Sequence, residues 1–372
     1  MKSRTSIIRV VKREALKTPY LILLYFGAVL LSLGIGALLL LSLDAAPLEF
    51  YTDMITVGTI GNKFAYKSVE NLIKQFVPLL ITSLGLSLAF KMKFWNIGGE
   101  GQFIVGAITA ATTAMLLPAD TNTFLFLLCM ALCGGLAGGL YGLMTAALKV
   151  KFGTNETLMT LMLNYIALYL LKFFGETKSG WNIFLQKESE RPVFTKIPEA
   201  AWMPAIKIGK FSLNISLLFA VLLVALIYIY LKRTKHGYEI SVVGDSLSTA
   251  RYAGMKVNRI ICRTMFFSAF LIGLSGALHV SSAQALSVTI TNSVGWTGII
   301  VAWLAKLNPL GVVVTSVLIS ILQFGCRVAS TNFTAVDSHF ADLIQGIVLF
   351  VILAADFFIR FKVVIDRPKR AQ

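Results

Sequence analysis

Three polar side chains stand at the head of an apolar run in FWNIGGEGQFIVGAITAATTAMLL, residues 94–117: Asn96, Glu100 and Gln102. A carboxyl and two amides can exchange hydrogen bonds, hold an ion or contact a ligand, and at the edge of lipid they are costly unless they face protein or water. On a helix Glu100 follows Asn96 by four residues and shares its face. Two roles fit the carboxylate. One is structural or gating: it pairs with nearby Lys91 or Lys93 or an inner-loop arginine, or favours its helix's dipole from the first turn. The other is direct contact with a transported ligand. A second stretch, NETLMTLMLNYIALYL, opens with Asn155 as a helix N-cap and Glu156, and carries Asn164 and Tyr165 about two turns deeper. An intramembrane Asn serves either interhelical hydrogen bonding or a ligand.

Other chemistry is not supported. Cys129 and Cys133 share a helix face, but no His or third Cys lies near them in sequence, so they read as buried apolar thiols and no metal site is expected. His236, His279 and His339 lie in separate segments. No G-x-x-x-x-G-K-[ST] loop, H-E-x-x-H or G-x-S-x-G occurs, so the chain has no legible catalytic residue and no bound cofactor is expected. A channel, transporter or scaffold is favoured over an enzyme.

The elements that position these residues are membrane spans. Of 372 residues 56% are hydrophobic and only 14% charged, with mean hydropathy +0.77, against about 25% charged in soluble domains. The apolar run 20–43 is too long for a signal peptide's core and reads as a retained first helix. Spans of about 20 apolar residues are expected at 20–43, 73–90, 97–117, 123–148, 157–174, 211–231, 263–285, 290–306, 308–328 and 341–361. The class is an all-α polytopic integral membrane protein with about 10 transmembrane helices (8–10), one of 73–90 and 290–306 being a candidate re-entrant segment. With both termini cytoplasmic, 23 of the 34 lysines and arginines fall on the inner side, as the positive-inside rule requires. The net charge of +16 therefore implies no nucleic acid partner.

This divides the chain into a basic amphipathic segment at 1–19, a single transmembrane domain over 20–361, and a cytoplasmic tail at 362–372. Loops 44–72 and 175–210 lie outside and 232–262 inside. The first segment either lies on the lipid surface or is a solvated tail. In CGGLAGGLYGLMTAAL, Gly134, Gly138 and Gly142 recur every four residues, as do Gly135 and Gly139, a spacing that lets helix backbones approach closely in lipid. Within the inner loop a short helix is expected, with Asp245 or Ser246 as N-cap, Leu247, Ala250, Tyr252 and Ala253 on a small apolar side, and Gly254 as its stop.

Four motifs carry a resemblance. GDSLSTARYAGMKVNRI, residues 244–260, resembles the coupling loop of ABC-importer permeases, and FWNIGGEGQFIVGA resembles the F-N-I-G-x-E-G-Q signature of the ribose, branched-chain amino acid and nucleoside group. GTNETLMTLMLNYIALYL, residues 153–170, and SVGWTGIIVAWLAKLNPLG, residues 293–311, resemble segments of the nucleoside-type members. Trp95 interrupts the first signature, and Thr297 and Ala305-Lys306 depart from the last. The chain is identified as a member of this permease group, most similar to the nucleoside type.

The resemblance implies a transport subunit taking up nucleosides, with sugars or branched-chain amino acids as the alternatives within the group. A non-transporting membrane scaffold that docks an ATPase is the alternative from another class. It implies a cytoplasmic ABC ATPase that uses ATP, a second homologous permease forming a heterodimer, an extracytoplasmic substrate-binding protein or lipoprotein, and a bacterial cell membrane. Asn96, Glu100, Gln102, Asn164, Tyr165 and Trp296 are the expected pathway or gate residues. Trp296 serves either to stack on a nucleobase or to anchor at the membrane interface. Gly244, Asp245, Ser246, Ala250, Arg251, Ala253 and Gly254 are the expected ATPase-coupling residues.

Overall fold

In the computed structural model the described residues are 8–12, 18–56, 61, 65–118, 120–333, 335–337 and 339–365. The chain divides into two compact units, 1–62 with 321–372, and 63–320.

The smaller unit holds α1 (Thr18–Ser42), α2 (Pro47–Ile55), the second part of α12 (Pro309–Ala329) and α13 (Phe340–Arg360). Its core gathers Leu40, Phe50, Met54, Cys326, Phe340 and Ile344. Between Phe26–Ser42 and Pro47–Ile55 the chain bends by 119°, and Pro47 opens α2, where a missing N–H costs nothing. Strand β1 (Ile8–Lys12) pairs antiparallel with β4 (Phe361–Ile365), Val10 opposite Val363. Part of the basic N-terminal segment is thus a strand joined to the chain's other end. Residues 1–7, 13–17 and 366–372 lie outside the described residues.

The larger unit is built on α3 (Ala65–Lys91), α4 (Gly99–Leu116), α5 (Thr123–Phe152), α6 (Glu156–Glu176), α7 (Ser216–Arg233) and α10 (Val257–Ala283). Short helices α8 (Lys235–Asp245), α9 (Leu247–Tyr252) and α11 (Val294–Leu304), and the hairpin β2 (Ala205–Ile208) and β3 (Phe211–Asn214), complete it. Helices α4, α5 and α10 meet through glycines. A Cβ on Gly273 would lie 2.5 Å from the Gly134 carbonyl oxygen and 2.9 Å from Gly138 Cα, while Gly135 and Gly139 seat the rings of Phe270 and Phe266. The i, i+4 stripe is therefore a backbone contact surface. We expect Gly273→Leu to cost about 3 kcal/mol or more, because backbone cannot yield as a side chain does. Gly34→Leu, with nothing within 4 Å of its Cβ, should unfold in detergent at the wild-type temperature. Equal unfolding temperatures for the two variants would refute this packing.

Seven helices among the described residues are long and apolar enough to cross a membrane, or eight if the bent α1–α2 pair is one span, against about ten expected. The difference has two physical sources. Helix α4 has a polar first turn, and its Gly and Ala positions are buried against neighbouring helices rather than set for lipid. Helix α11 has 11 residues, about 16 Å of rise, because the first part of 290–306 is not helical. At the long loops the boundaries shift as well: α2 and the first turns of α3 fall inside 44–72, and the expected span 211–231 begins as strand β3.

Candidate functional site

Between α3 and α4 the chain leaves helical geometry at residues 92–98, with Lys93 at a left-handed φ of 57°. Backbone freed at membrane depth must find partners in protein, and the polar residues of the motif supply them. Asn96 Nδ2 donates to Gln102 Oε1 at 3.1 Å and Gln102 Nε2 returns a bond to Asn96 Oδ1 at 3.0 Å, an oxygen that also accepts the Gly98 N–H at 3.1 Å. From α6, Asn164 Nδ2 donates to the Ile97 carbonyl and its Oδ1 accepts the Gly101 N–H, both at 2.8 Å. Thr160 Oγ1 accepts the Ile97 N–H at 3.2 Å. Asn96, Gln102 and Asn164 are buried. The cluster locks the α3–α4 break to α6.

Glu100 points elsewhere. It is 8% exposed, and one carboxylate oxygen accepts the Gly295 N–H at 2.8 Å. Thr291 and Trp296 also lie beside the carboxylate. Gly295 and Trp296 open α11, whose own N-cap residue Ser293 makes no side-chain cap. First-turn N–H groups have no partner within their helix, and a carboxylate there is favoured by the helix dipole. Glu100 thus caps a helix 195 positions away. The expected lysine or arginine pairing is not seen: among the described residues the lysine and arginine ion pairs are Lys149–Glu156 and Arg263–Glu239. Thr291 and Gly295 were missed in the sequence, since nothing local marks them as partners of a distant carboxylate.

Asn155 caps α6 as expected, accepting the Thr157 N–H at 3.0 Å. Tyr165 and Trp296 stand outside the network and are exposed, at 49% and 41%.

The loop 232–262 carries two helices rather than one. Thr234 caps α8, and Ser246 caps α9 by accepting the Thr249 N–H at 3.2 Å. Asp245 is the last residue of α8 and so is not the cap. Gly254, at φ 72°, ends α9 in a Schellman motif: its N–H bonds the Arg251 carbonyl and the Met255 N–H bonds that of Ala250. Ala250 is fully buried within this chain, whereas Tyr252 is fully exposed and Leu247 half exposed. The outward face of α9 is therefore Leu247, Ser248, Arg251 and Tyr252, and the expected small apolar side does not face outward at Ala250. Gly244, buried near the end of α8, leaves no room for a Cβ against the Lys91 carbonyl oxygen at the end of α3. A cavity of about 500 Å³ beside α9 is lined by Lys93, Lys149, Asp245, Ser248 and Arg251.

A family model described as "Branched-chain amino acid transport system / permease component" matches residues 68–353. The chain belongs to this family. As one of these permease components of ABC importers it is a multi-pass membrane protein and a transport subunit. Its relatives include the nucleoside ABC transporter permease protein of Lactococcus lactis subsp. cremoris, 27% identical over 313 residues, 82% of each chain. The guanosine ABC transporter permease protein of Bacillus subtilis is 27% identical over 90% of this chain and 93% of its own. The glucose ABC transporter permease protein of Haloferax volcanii is 26% identical over 92% of this chain and 90% of its own. In the first two organisms a second permease protein with the same substrate in its name also matches. The family's match takes in the α3–α4 break, Glu100, α8–α9 and α11.

Proposed function

We propose that the chain is the membrane half of a bacterial nucleoside importer. The observation that carries this is the pair of nucleoside and guanosine permeases, similar over 82% and 90% of the chain. Deleting the chain from its host should abolish ATP-dependent uptake of labelled nucleoside while sparing leucine uptake; intact nucleoside uptake would refute the reading. The glucose permease, similar over 92% of the chain, favours a sugar importer as the second reading.

In this account a separate cytoplasmic ATPase hydrolyses ATP, an extracytoplasmic binding protein or lipoprotein delivers substrate, and this chain binds no cofactor. The two same-substrate permeases in each of two organisms support a second permease as heterodimer partner. The α8–α9 region receives the ATPase through Leu247, Ser248, Arg251 and Tyr252. Gly244 passes its movement to the end of α3, and the Asn96–Gln102–Asn164 lock with the Glu100 cap carries it to α11, which serves as gate.

Both termini lie in the cytoplasm in this reading, and the pairing of β1 with β4 supports placing the two ends on one side. A Ser248→Cys protein should therefore react with an impermeant thiol reagent only after the membrane is permeabilised. Labelling of intact cells would overturn the orientation.

A further inference from the structure

The segment leading into α11 starts at Gln284, where α10 ends and the Gln284 carbonyl accepts the Ile197 N–H of the long loop before α7. Gly295 then lies against Glu100 and Gly99, and Gly99 against Leu86. Leu86 is buried in the span α3, five residues before its end at Lys91. Residues 285–293 thus descend to membrane depth without a regular helix, with Asn292 and Ser293 at left-handed φ of 44° and 58°. Irregular backbone is not tolerated against lipid; it occurs at this depth only when buried in protein or lining a water-filled cavity.

Leu286, Ile290 and Thr291 anchor this stretch in the protein, but its other face is open. Thr289, Asn292, Ser293 and Trp296 are all exposed. The membrane-facing helices differ: α5 exposes Leu128, Leu132 and Leu136, and α7 exposes Val221, Leu222 and Leu226, as contact with hydrocarbon requires. The first-turn N–H of Gly295 in α11 is already taken by Glu100, so the helix end is not the open feature. The open feature is an indole. Trp95 stacks on Trp303, Trp181 stacks on Phe173, and Trp202 donates to the Ile197 carbonyl. Among the described residues Trp296 has neither a ring contact nor an indole hydrogen bond.

We infer that Asn292, Ser293 and Trp296 form a nucleoside contact inside the translocation path. Trp296 stacks on the base, and Asn292 and Ser293 hydrogen-bond its edge or the ribose. This rests on the nucleoside reading. An aromatic face suits any base, and losing the stack should weaken binding about tenfold.

The test is initial-rate uptake by the complete importer in proteoliposomes: this chain, its partner permease, the ATPase and the binding protein. Trp296→Leu should raise the nucleoside KM about tenfold and Trp296→Phe should restore most of it. Asn292→Ala should change the ranking of competing nucleosides. A wild-type KM in Trp296→Leu, with wild-type protein importing nucleoside, overturns the inference alone. So does loss of the partner permease from purified Trp296→Leu complex, which makes this face a subunit interface. Wild-type complex that imports glucose and no nucleoside overturns the underlying reading together with the base contact, before any variant is tested.

Discussion

Glu100→Gln is expected to leave the chain assembled with its ATPase while uptake falls more than tenfold. Gln keeps the shape, and one oxygen can still accept the Gly295 N–H, which Glu100 now receives at 2.8 Å. The second oxygen becomes an NH2 that can only donate, near the Trp296 N–H and the Thr291 hydroxyl. Hydrogen bonds to a charged group contribute about 1.5–3 kcal/mol, and a carboxylate at a partly buried helix N-terminus up to about 2 kcal/mol. A local loss of about 2–3 kcal/mol would free the start of α11 without unfolding a bundle held by glycine contacts elsewhere. Substrate ranking should not change, because a cap acts on the helix and not on the ligand. A changed ranking would instead place the carboxylate against substrate, and unchanged kinetics would reject both roles.

Gly244→Val is expected to abolish uptake while ATP hydrolysis by the assembled complex continues. Gly244 faces the Lys91 carbonyl with no space for a Cβ, so any side chain forces α8 away from the end of α3. Backbone against backbone has no soft response, and the cost of overpacking is about 1–3 kcal/mol. The movement falls where ATPase contact and the α3–α4 break meet in the proposed transmission. Gly180→Val is the control, since nothing lies within 4 Å of an added Cβ there, and its uptake should match the wild type. Normal uptake by Gly244→Val would remove α8 from the coupling route.

What was legible in the sequence is what local chemistry encodes. Apolar runs gave most of the long helices, Asn155 and Ser246 mark helix starts through their side-chain oxygens, and Gly254 marks a stop through its positive φ. The glycine stripe on α5 was readable because spacing alone puts small residues on one face. The partner of Glu100 was not. Lys91 and Lys93 are near in sequence, but the chain turns at 92–98 and sends the carboxylate to Gly295. The shortness of α11 was hidden for the same reason, since an apolar run does not tell which part is helical when a distant side chain sets the N-terminus. Ala250 on α9 misled differently: a small apolar face looks the same whether it meets a partner or its own chain, and here it is buried at home. The strand pairing of Ile8–Lys12 with Phe361–Ile365 joins segments too far apart for any local pattern to announce.

The central claim is best tested by competition for uptake. The complete importer in proteoliposomes, loaded with ATP, should take up labelled guanosine, and unlabelled nucleosides should compete while ribose, glucose and leucine in excess should not. Uptake that glucose or leucine suppresses and nucleosides leave untouched would contradict the account.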